Sequence, residues 1–167
     1  MAVRPLGQPG DLGWVVMAHG ELYAEEFGWD TSMEALIARI MADFAASSDP
    51  RQAGWIAEVD GRRVGCVLCV PSSEPSSGPS ADPDTAQLRV LLVLPSARGL
   101  GLGDRLVSAC IDHARSVGYR RMRLWTNSVL EAARHIYLSR GFVLVEEEPH
   151  HSFGVDLVGQ VYELSLV

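Results

Sequence analysis

Apolar residues recur at helical spacing in four segments of the chain, and each segment predicts a helix with one buried face. In the clearest segment, Thr31 and Glu34 have the spacing of a capping box, which satisfies free N–H groups at a helix start. Asp11 is expected to cap an earlier helix that runs from Trp14 to Leu22. The apolar stripe after Thr31 consists of Met33, Leu36, Ile37, Ile40, Met41 and Phe44.

Two further helices are predicted in the second half of the chain. One covers about residues 104–117 and ends at Gly118, and the other covers 131–139 and is stopped by Gly141. Glycine is favoured just past a helix because it adopts left-handed backbone conformations without steric cost. One apolar segment of strand length separates these two helices.

Seven short segments predict the strands of a sheet. Asp60-Gly61 lies between two of them and is typical of a tight hairpin turn. Leu88–Leu94 is apolar at nearly every position, which predicts a central strand covered on both faces. The segments are 2–6, 55–59, 64–70, 88–94, 122–126, 142–147 and 161–167.

The order of these elements, β-α-α-β-β-β-α-β-α-β-β, predicts an α+β fold with a mixed sheet and helices on both faces. Residues 71–85 are rich in proline and serine and cannot pack as a helix or strand. They are expected to form a mobile loop inside one domain, residues 1–167, because neither side of the loop makes a complete fold.

Charge and composition exclude several classes of partner. The chain has 167 residues and a net charge of −7, so nucleic acid is not expected as a partner, because binding phosphates needs basic surface. No apolar stretch approaches the roughly 18 residues that span a bilayer, so no membrane partner is expected. The apolar run Trp14–Ala18 is short and soon interrupted by His19 and Glu21, which is not typical of a signal peptide.

The three cysteines are interpreted as reduced thiols, which predicts a cytoplasmic location. Cys66 and Cys69 have the spacing of a metal site, but they lie in a predicted strand. Residues three apart on a strand point to opposite faces, so we expect no metal site there and no metal cofactor.

A glycine-rich loop is the first candidate for chemistry. Gly99, Gly101 and Gly103 follow Arg98 between a buried strand and a predicted helix. Unpaired N–H groups at a helix start attract anions, glycines let the backbone approach a phosphate, and Arg98 would add positive charge. The patterns of a P-loop and of dinucleotide folds are absent. The alternative is that the glycines only tighten a turn.

Two segments resemble motifs of the GNAT (GCN5-related N-acetyltransferase) superfamily. Val93–Gly103 resembles motif A, whose signature is Arg/Gln-x-x-Gly-x-Gly/Ala, and Tyr137–Phe142 is similar to motif B. The order of elements is also that of the family, so the resemblance covers essentially the whole chain. It implies one GNAT-like domain with a mostly antiparallel sheet of about six or seven strands, which splays apart where acetyl-CoA binds.

A narrower likeness is to the acetyltransferase half of bacterial proteins that fuse a MarR-type winged-helix regulator to a GNAT domain. The sequence shows no regulator half, so the likeness does not imply DNA binding. The segments that carry it are Leu124–Asn127, Ala132–Tyr137 and Glu148–Gly154.

The family resemblance implies which residues hold the cofactor. The backbone of Leu91, Leu92 and Val93 would pair with the pantetheine arm in the manner of an added strand. The N–H groups from Arg98 through Gly103 would hold the pyrophosphate.

The resemblance also implies roles for residues near motif B. Tyr137 matches the family's general acid, which protonates the thiolate leaving group. Ala133 is small where the helix passes the cofactor. Many family members carry asparagine at the position of Leu130, so Asn127, three residues earlier, is the candidate for that contact with the pantetheine.

The general base is sought in the acidic segment of the first helix. Glu21 and Glu25 share a helical face by their i,i+4 spacing and could bind a cationic amine or relay its proton. The alternative is an ordinary solvated acidic face.

Two other pairs of residues could lie near the acceptor amine. His150 and His151 are adjacent, so only one of them can face the site from a strand, and either could be a base near neutral pH. Trp29 and Trp125 are interpreted as core residues rather than acceptor walls.

These inferences lead to two candidate functions. The first is an acetyl-CoA-dependent N-acetyltransferase that transfers an acetyl group to a primary amine of a small molecule or of a peptide or protein. The second is a non-catalytic acyl-CoA-binding sensor or partner module, which would keep the loop but need no acid or base. The expected partners are acetyl-CoA and an unidentified amine acceptor, and a homodimer is possible.

Overall fold

The computed structural model describes residues 1–72 and 82–167, in which seven strands and four α-helices are found. In chain order they are β1 (Ala2–Pro5), α1 (Asp11–Phe27), α2 (Thr31–Ala46), β2 (Ala53–Val59), β3 (Arg62–Pro71), β4 (Thr85–Val93), α3 (Leu102–Ser116), β5 (Arg121–Asn127), α4 (Glu131–Ser139), β6 (Val143–Ser152) and β7 (Val155–Ser165). A short 3₁₀ turn, Pro95–Ala97, connects β4 to the glycine-rich loop. No helix in these two ranges combines the length and apolar character needed to cross a bilayer.

The seven strands form one sheet in the order β1-β2-β3-β4-β5-β7-β6. Only the β4–β5 pair is parallel, and the other neighbours are antiparallel. The prediction of a mixed, mostly antiparallel sheet with helices on both faces is confirmed. The hairpin at Asp60-Gly61 is also present, with φ of 52° and 75° at its two central residues.

The sheet opens between its two central strands. The β4–β5 ladder covers three residue pairs and ends at Gln87 opposite Arg123, although β4 continues to Val93. Val90 has a φ of 52°, which is rare for a β-branched residue, and it lies where the register against β3 shifts. A bulge of this kind bends a strand, and here β4 bends away from β5. The thiol of Cys66 donates a hydrogen bond to the Val90 carbonyl at 3.2 Å.

Two apolar cores lie on opposite faces of the sheet. The helices α3 and α4 cover one of them, and α1 and α2 cover the other. Cys69 belongs to the first core and Cys66 to the second, as predicted for residues three apart on a strand. All three cysteines are free and buried. Within the described ranges, no three His, Cys, Asp or Glu side chains are grouped to hold a metal ion.

Both predicted helix caps need correction. The cap of α2 is Asp30, whose carboxylate accepts a hydrogen bond from the Ser32 N–H at 2.9 Å. The capping residue is therefore one position before Thr31, which the capping-box spacing had predicted for this role. Asp11 is the first helical residue of α1, after Gly10, and its side chain caps nothing. It is instead bound by Arg4, because a fully buried carboxylate needs a charged partner.

Two segments differ in length from their predictions. The β6–β7 hairpin extends from Val143 to Ser165, and the polar run Glu146–Ser152 forms part of its edge strand. This run has too little apolar alternation for the sequence to predict a strand there. The predicted loop 71–85 is shorter, since β3 and β4 include its first and last residues and the Ser72 N–H donates to the Thr85 carbonyl. The rest of that prediction, residues 73–81, lies outside the described residues.

Candidate active site

A cavity of about 680 Å³ opens at the end of β4, beside the glycine-rich loop; we call it the loop cavity. Eight residues that the sequence predicted for a cofactor line it together, and they come from β4, the loop, the start of α3 and the start of α4. They are Leu91, Leu92, Val93, Arg98, Gly99, Gly101, Gly103 and Ala133.

The loop backbone leaves unpaired N–H groups at the start of α3. Gly99 and Gly101 have φ of 82° and 73°, a left-handed conformation that side chains disfavour. The first backbone bond of α3 runs from the Arg105 N–H to the Gly101 carbonyl at 3.1 Å, so the N–H groups just before it are unpaired helix-start donors. The predicted run of donors is too long by one residue, because the Arg98 N–H donates to the Pro95 carbonyl.

The Arg98 side chain already has a partner. Its guanidinium forms an ion pair with Glu26 of α1, 2.5 Å away, and both side chains line the loop cavity. Because Arg98 is half exposed, this pair contributes little to stability. The ion pair does, however, position the positively charged guanidinium of Arg98 in the wall of the loop cavity.

Gly103 is required for a different reason from the other two glycines. A Cβ atom at this position would lie 2.8 Å from Cδ1 of Ile136 in α4. The glycine therefore allows α3 and α4 to approach each other closely, and it borders the loop cavity as a consequence of that packing.

A second cavity, of about 150 Å³, lies between α1, α2 and the splayed strands; we call it the helix-side cavity. Apolar and aromatic side chains make up most of its wall, among them Trp29 and Phe153. It shares four lining residues with the loop cavity, which are Tyr23, Leu91, Leu130 and Ala133. The two cavities thus meet in the gap between β4 and β5.

Tyr137 lines the helix-side cavity one helical turn after Ala133. Its ring packs against Phe142 and Tyr162, with ring centroids 5.7 and 6.1 Å apart. Burial raises the pKa of its hydroxyl well above the ordinary value. No hydrogen bond contributes to this shift, so the hydroxyl is a protonated donor at the cavity wall near neutral pH.

His19 of α1 also lines the helix-side cavity and is 2% exposed. Its Nδ1 lies 2.8 Å from the Val15 carbonyl, so Nδ1 carries the proton and Nε2 is left with its lone pair. Burial lowers the pKa of the ring to about 4, which keeps it neutral at physiological pH. The sequence analysis sought the base on the same helix, at Glu21 and Glu25, and predicted no role for this ring.

Asn127 lies in the helix-side cavity, not in the loop cavity. It is 3% exposed, and its Oδ1 lies 2.8 Å from Nε2 of His150. His151 instead faces solvent and pairs with Asp156. Only one of the two adjacent histidines faces the interior, as predicted from the alternation of a strand.

Glu21 and Glu25 are exposed on α1 and line neither cavity. Their common face exists as predicted, but it points to solvent, so the structure does not bring them to Tyr137. Trp29 is core, as expected, whereas Trp125 is 48% exposed and corrects its assignment to the core.

Sequence comparison shows which family the chain resembles. The family model for the acetyltransferase (GNAT) family matches residues 17–142. N-acetyltransferase 8 of Rattus norvegicus is 30% identical over 141 residues, which cover 83% of this chain and 60% of that protein. The mycothiol acetyltransferase of Sanguibacter keddieii is 38% identical over 88 residues, 52% of this chain and 27% of its own length. The matched part of the chain therefore spans less than two thirds of the length of each of these two relatives.

Solved structures share the whole architecture. An N-acetyltransferase from Staphylococcus aureus superposes with a TM-score of 0.79 at 20% identity, covering 99% of this chain and 98% of that one. The yncA protein of Salmonella typhimurium, solved with its cofactor acetyl-CoA, gives 0.77 at 20% identity, covering 100% and 94%. With the family model matched from α1 to the end of α4, and the same fold over the full length, the chain belongs to the acetyltransferase (GNAT) family.

Proposed function

We propose that the protein is an acetyl-CoA-dependent N-acetyltransferase that transfers the acetyl group to a primary amine. The observation that carries the proposal is the meeting of two cavities between β4 and β5, with the protonated Tyr137 hydroxyl in the wall of one of them. One cavity suits the cofactor and the other suits the acceptor.

The loop cavity would hold acetyl-CoA. The helix-start N–H groups around Gly101 would bind the pyrophosphate, and Arg98 would add its charge after exchanging Glu26 for phosphate. The backbone of Leu91–Val93 has no strand partner on the β5 side, so it can pair with the pantetheine arm. The acetyl group would then lie near Ala133, where the cavities meet.

The helix-side cavity would take the amine in its neutral form. An alkylamine has a pKa of about 10.4, so deprotonating it at pH 7 costs about 4–5 kcal/mol. An apolar wall disfavours the ammonium ion and offsets part of this cost. His19 lines this cavity and its Nε2 is the acceptor nitrogen. We therefore assign His19, in place of Glu21 and Glu25, as the group that takes the proton released by the amine nitrogen after it has attacked the thioester, when that nitrogen is far more acidic than the free ammonium ion.

The proton transfers of the acetylation then need only His19 and Tyr137. The amine nitrogen attacks the thioester carbonyl carbon, and its surplus proton passes to His19. The C–S bond breaks, and the coenzyme A thiolate, with a pKa of roughly 8.5, accepts the proton of the Tyr137 hydroxyl. Proton exchange with solvent restores both side chains, and the products are the amide and the free thiol.

The direct test is incubation with acetyl-CoA and a panel of primary amines while free thiol is measured. Thiol release that depends on both acetyl-CoA and amine is expected. If acetyl-CoA binds but no amine releases thiol, the protein is the non-catalytic acyl-CoA sensor.

Three finer expectations remain predictions. They are the likeness to the acetyltransferase half of MarR-type fusion proteins, the cytoplasmic location and the homodimer. None of the steps above depends on them.

A further inference from the structure

A third cavity, of about 270 Å³, continues from the helix-side cavity along the surface of β5, β6 and β7; we call it the outer groove. The two share Gln87 and Trp125 in their walls. A ligand whose reactive end lies in the helix-side cavity can therefore extend its other end into the outer groove.

Gln87 lies at the junction with an unsatisfied side chain. It is 4% exposed, and its Oε1 is buried without a hydrogen-bond partner within the described residues. A buried amide oxygen without a partner destabilises the fold. The last side-chain torsion of glutamine is soft, so the amide can turn its oxygen toward either cavity. A ligand that donates an N–H group to this oxygen would supply the missing hydrogen bond.

The outer groove is lined by an aromatic side chain and by two carboxylates. Trp125 is 48% exposed there, and Glu146 and Glu148 lie on the same face of β6 because they are two residues apart. Arg123 lies 3.7 Å from Glu146 and offsets one of the two charges. An indole face beside a carboxylate is a favourable site for an organic cation.

We propose that the acceptor is a diamine-class substrate: a primary amine with a second cationic group several bonds away. The cation lies on Trp125 beside Glu148, and the amine that is acetylated passes Gln87, whose Oε1 accepts one of its hydrogens. This inference rests on the proposed function and adds its substrate class. The net charge of −7 acts in the same direction, since it attracts cations to the protein.

The first test compares linear α,ω-diamines with monoamines of the same chain length, by acetyl-CoA-dependent thiol release. We expect kcat/KM to be at least tenfold higher for the best diamine. Equal values in the two series overturn the inference and leave the acetyltransferase function standing. Absence of thiol release with every amine overturns both.

The second test assigns the cation site with a matched pair of variants. Glu148→Gln should raise the KM for the diamine about tenfold and reduce its advantage over the monoamine. Glu147→Gln is the control, because Glu147 lies on the opposite face of the same strand, where it accepts from Gln160 at 3.2 Å. It should leave the diamine preference unchanged, and equal effects of the two variants overturn the assignment.

The third test separates binding from packing at the junction. Gln87→Leu replaces an unsatisfied amide with an apolar side chain of similar size, so Tm should rise while kcat/KM for the diamine falls about tenfold. A drop in Tm with unchanged kinetics would show that Gln87 serves only the fold, and would overturn its role.

Discussion

Gly101 and Gly61 have nearly the same backbone conformation, with φ of 73° and 75°, and neither has an atom within 4 Å of the place of a Cβ. They differ in their surroundings. Gly61 turns a hairpin at the protein surface, whereas Gly101 starts α3 inside the loop cavity. The same backbone conformation thus forms a surface turn in one place and part of a cavity wall in the other.

Replacing Gly101 with leucine should therefore abolish tight binding of acetyl-CoA, because the side chain would occupy the space for the pyrophosphate. Gly61→Leu is the control, since it carries the same backbone strain of about 1–2 kcal/mol without touching the cavity. Both variants should lose similar stability by urea denaturation, and only Gly101→Leu should lose affinity by calorimetry. Unchanged affinity in Gly101→Leu would remove the loop as the cofactor site.

Tyr137→Phe should lower kcat about 100-fold and leave the affinity for acetyl-CoA nearly unchanged, because the hydroxyl acts on the leaving group. Tyr23→Phe provides the comparison, since Tyr23 also has a buried hydroxyl and lines both cavities. Steady-state kinetics with a fixed amine measures both variants. A larger loss in Tyr23→Phe would transfer the role of the acid to that residue.

At the scale of elements, α1 decides which of its polar residues reach the site. His19, Tyr23 and Glu26 follow one another at helical spacing and face the two cavities. Glu21 and Glu25 obey the same periodicity but lie on the exposed side. A spacing argument finds residues that share a face, and only the packing of the helix against the sheet shows which face is buried.

The buried His19 gives the fold a pH dependence. Its pKa is lowered to about 4 by burial, while in the unfolded chain it has the ordinary value of about 6.5. Between these values the unfolded chain binds the proton more readily, so stability is lost as the pH falls through this range, by about 3 kcal/mol in all.

Urea denaturation at several values between pH 7 and pH 4 checks this dependence. The variant His19→Phe keeps a ring and cannot titrate, so its stability should fall less steeply over the same range. An identical slope in both proteins would show that His19 is not buried in its neutral form. The variant should also lose amine acetylation, because it lacks the proton acceptor.

At the scale of the whole molecule, one ionic cluster fixes α1 against the sheet. The fully buried Asp11 pairs with Arg4 of β1 and Arg63 of β3, each at 2.8 Å, and Arg4 also pairs with Glu58 of β2. The hydrogen bonds from Arg4 are the main reason that the pKa of Asp11 lies well below its usual range. Two strands and a helix therefore meet at the Asp11 carboxylate, and a third strand joins the cluster through Arg4.

Asp11→Asn should destabilise the protein by about 2–4 kcal/mol, because it leaves two arginines facing a neutral group in a partly buried site. Asp156→Asn is the matched control, since its pair with His151 is exposed and should contribute less than about 1 kcal/mol. Chemical denaturation at pH 7 measures both. A loss below 1 kcal/mol in Asp11→Asn would mean that the cluster does not hold the helix.

Some elements could be predicted from the sequence more closely than others, and the reasons are physical. Strong local signals, such as the apolar stripe of α2, the Asp60-Gly61 turn and the glycines after Arg98, placed these elements to within a few residues. Weak local signals failed at the polar edge strand β6, where the ladder to β7 supplies what the sequence pattern lacks.

The order of elements, the glycine-rich loop and the tyrosine of motif B could be predicted from the sequence, because each depends on residues close together in the chain. Tertiary structure alone decided that the sheet splays after Gln87, that His19 and not Glu21 reaches the cavity, and that Trp125 is exposed beside Glu148. The reason is that burial and cavities arise between elements distant in sequence, and no local spacing records which faces come together.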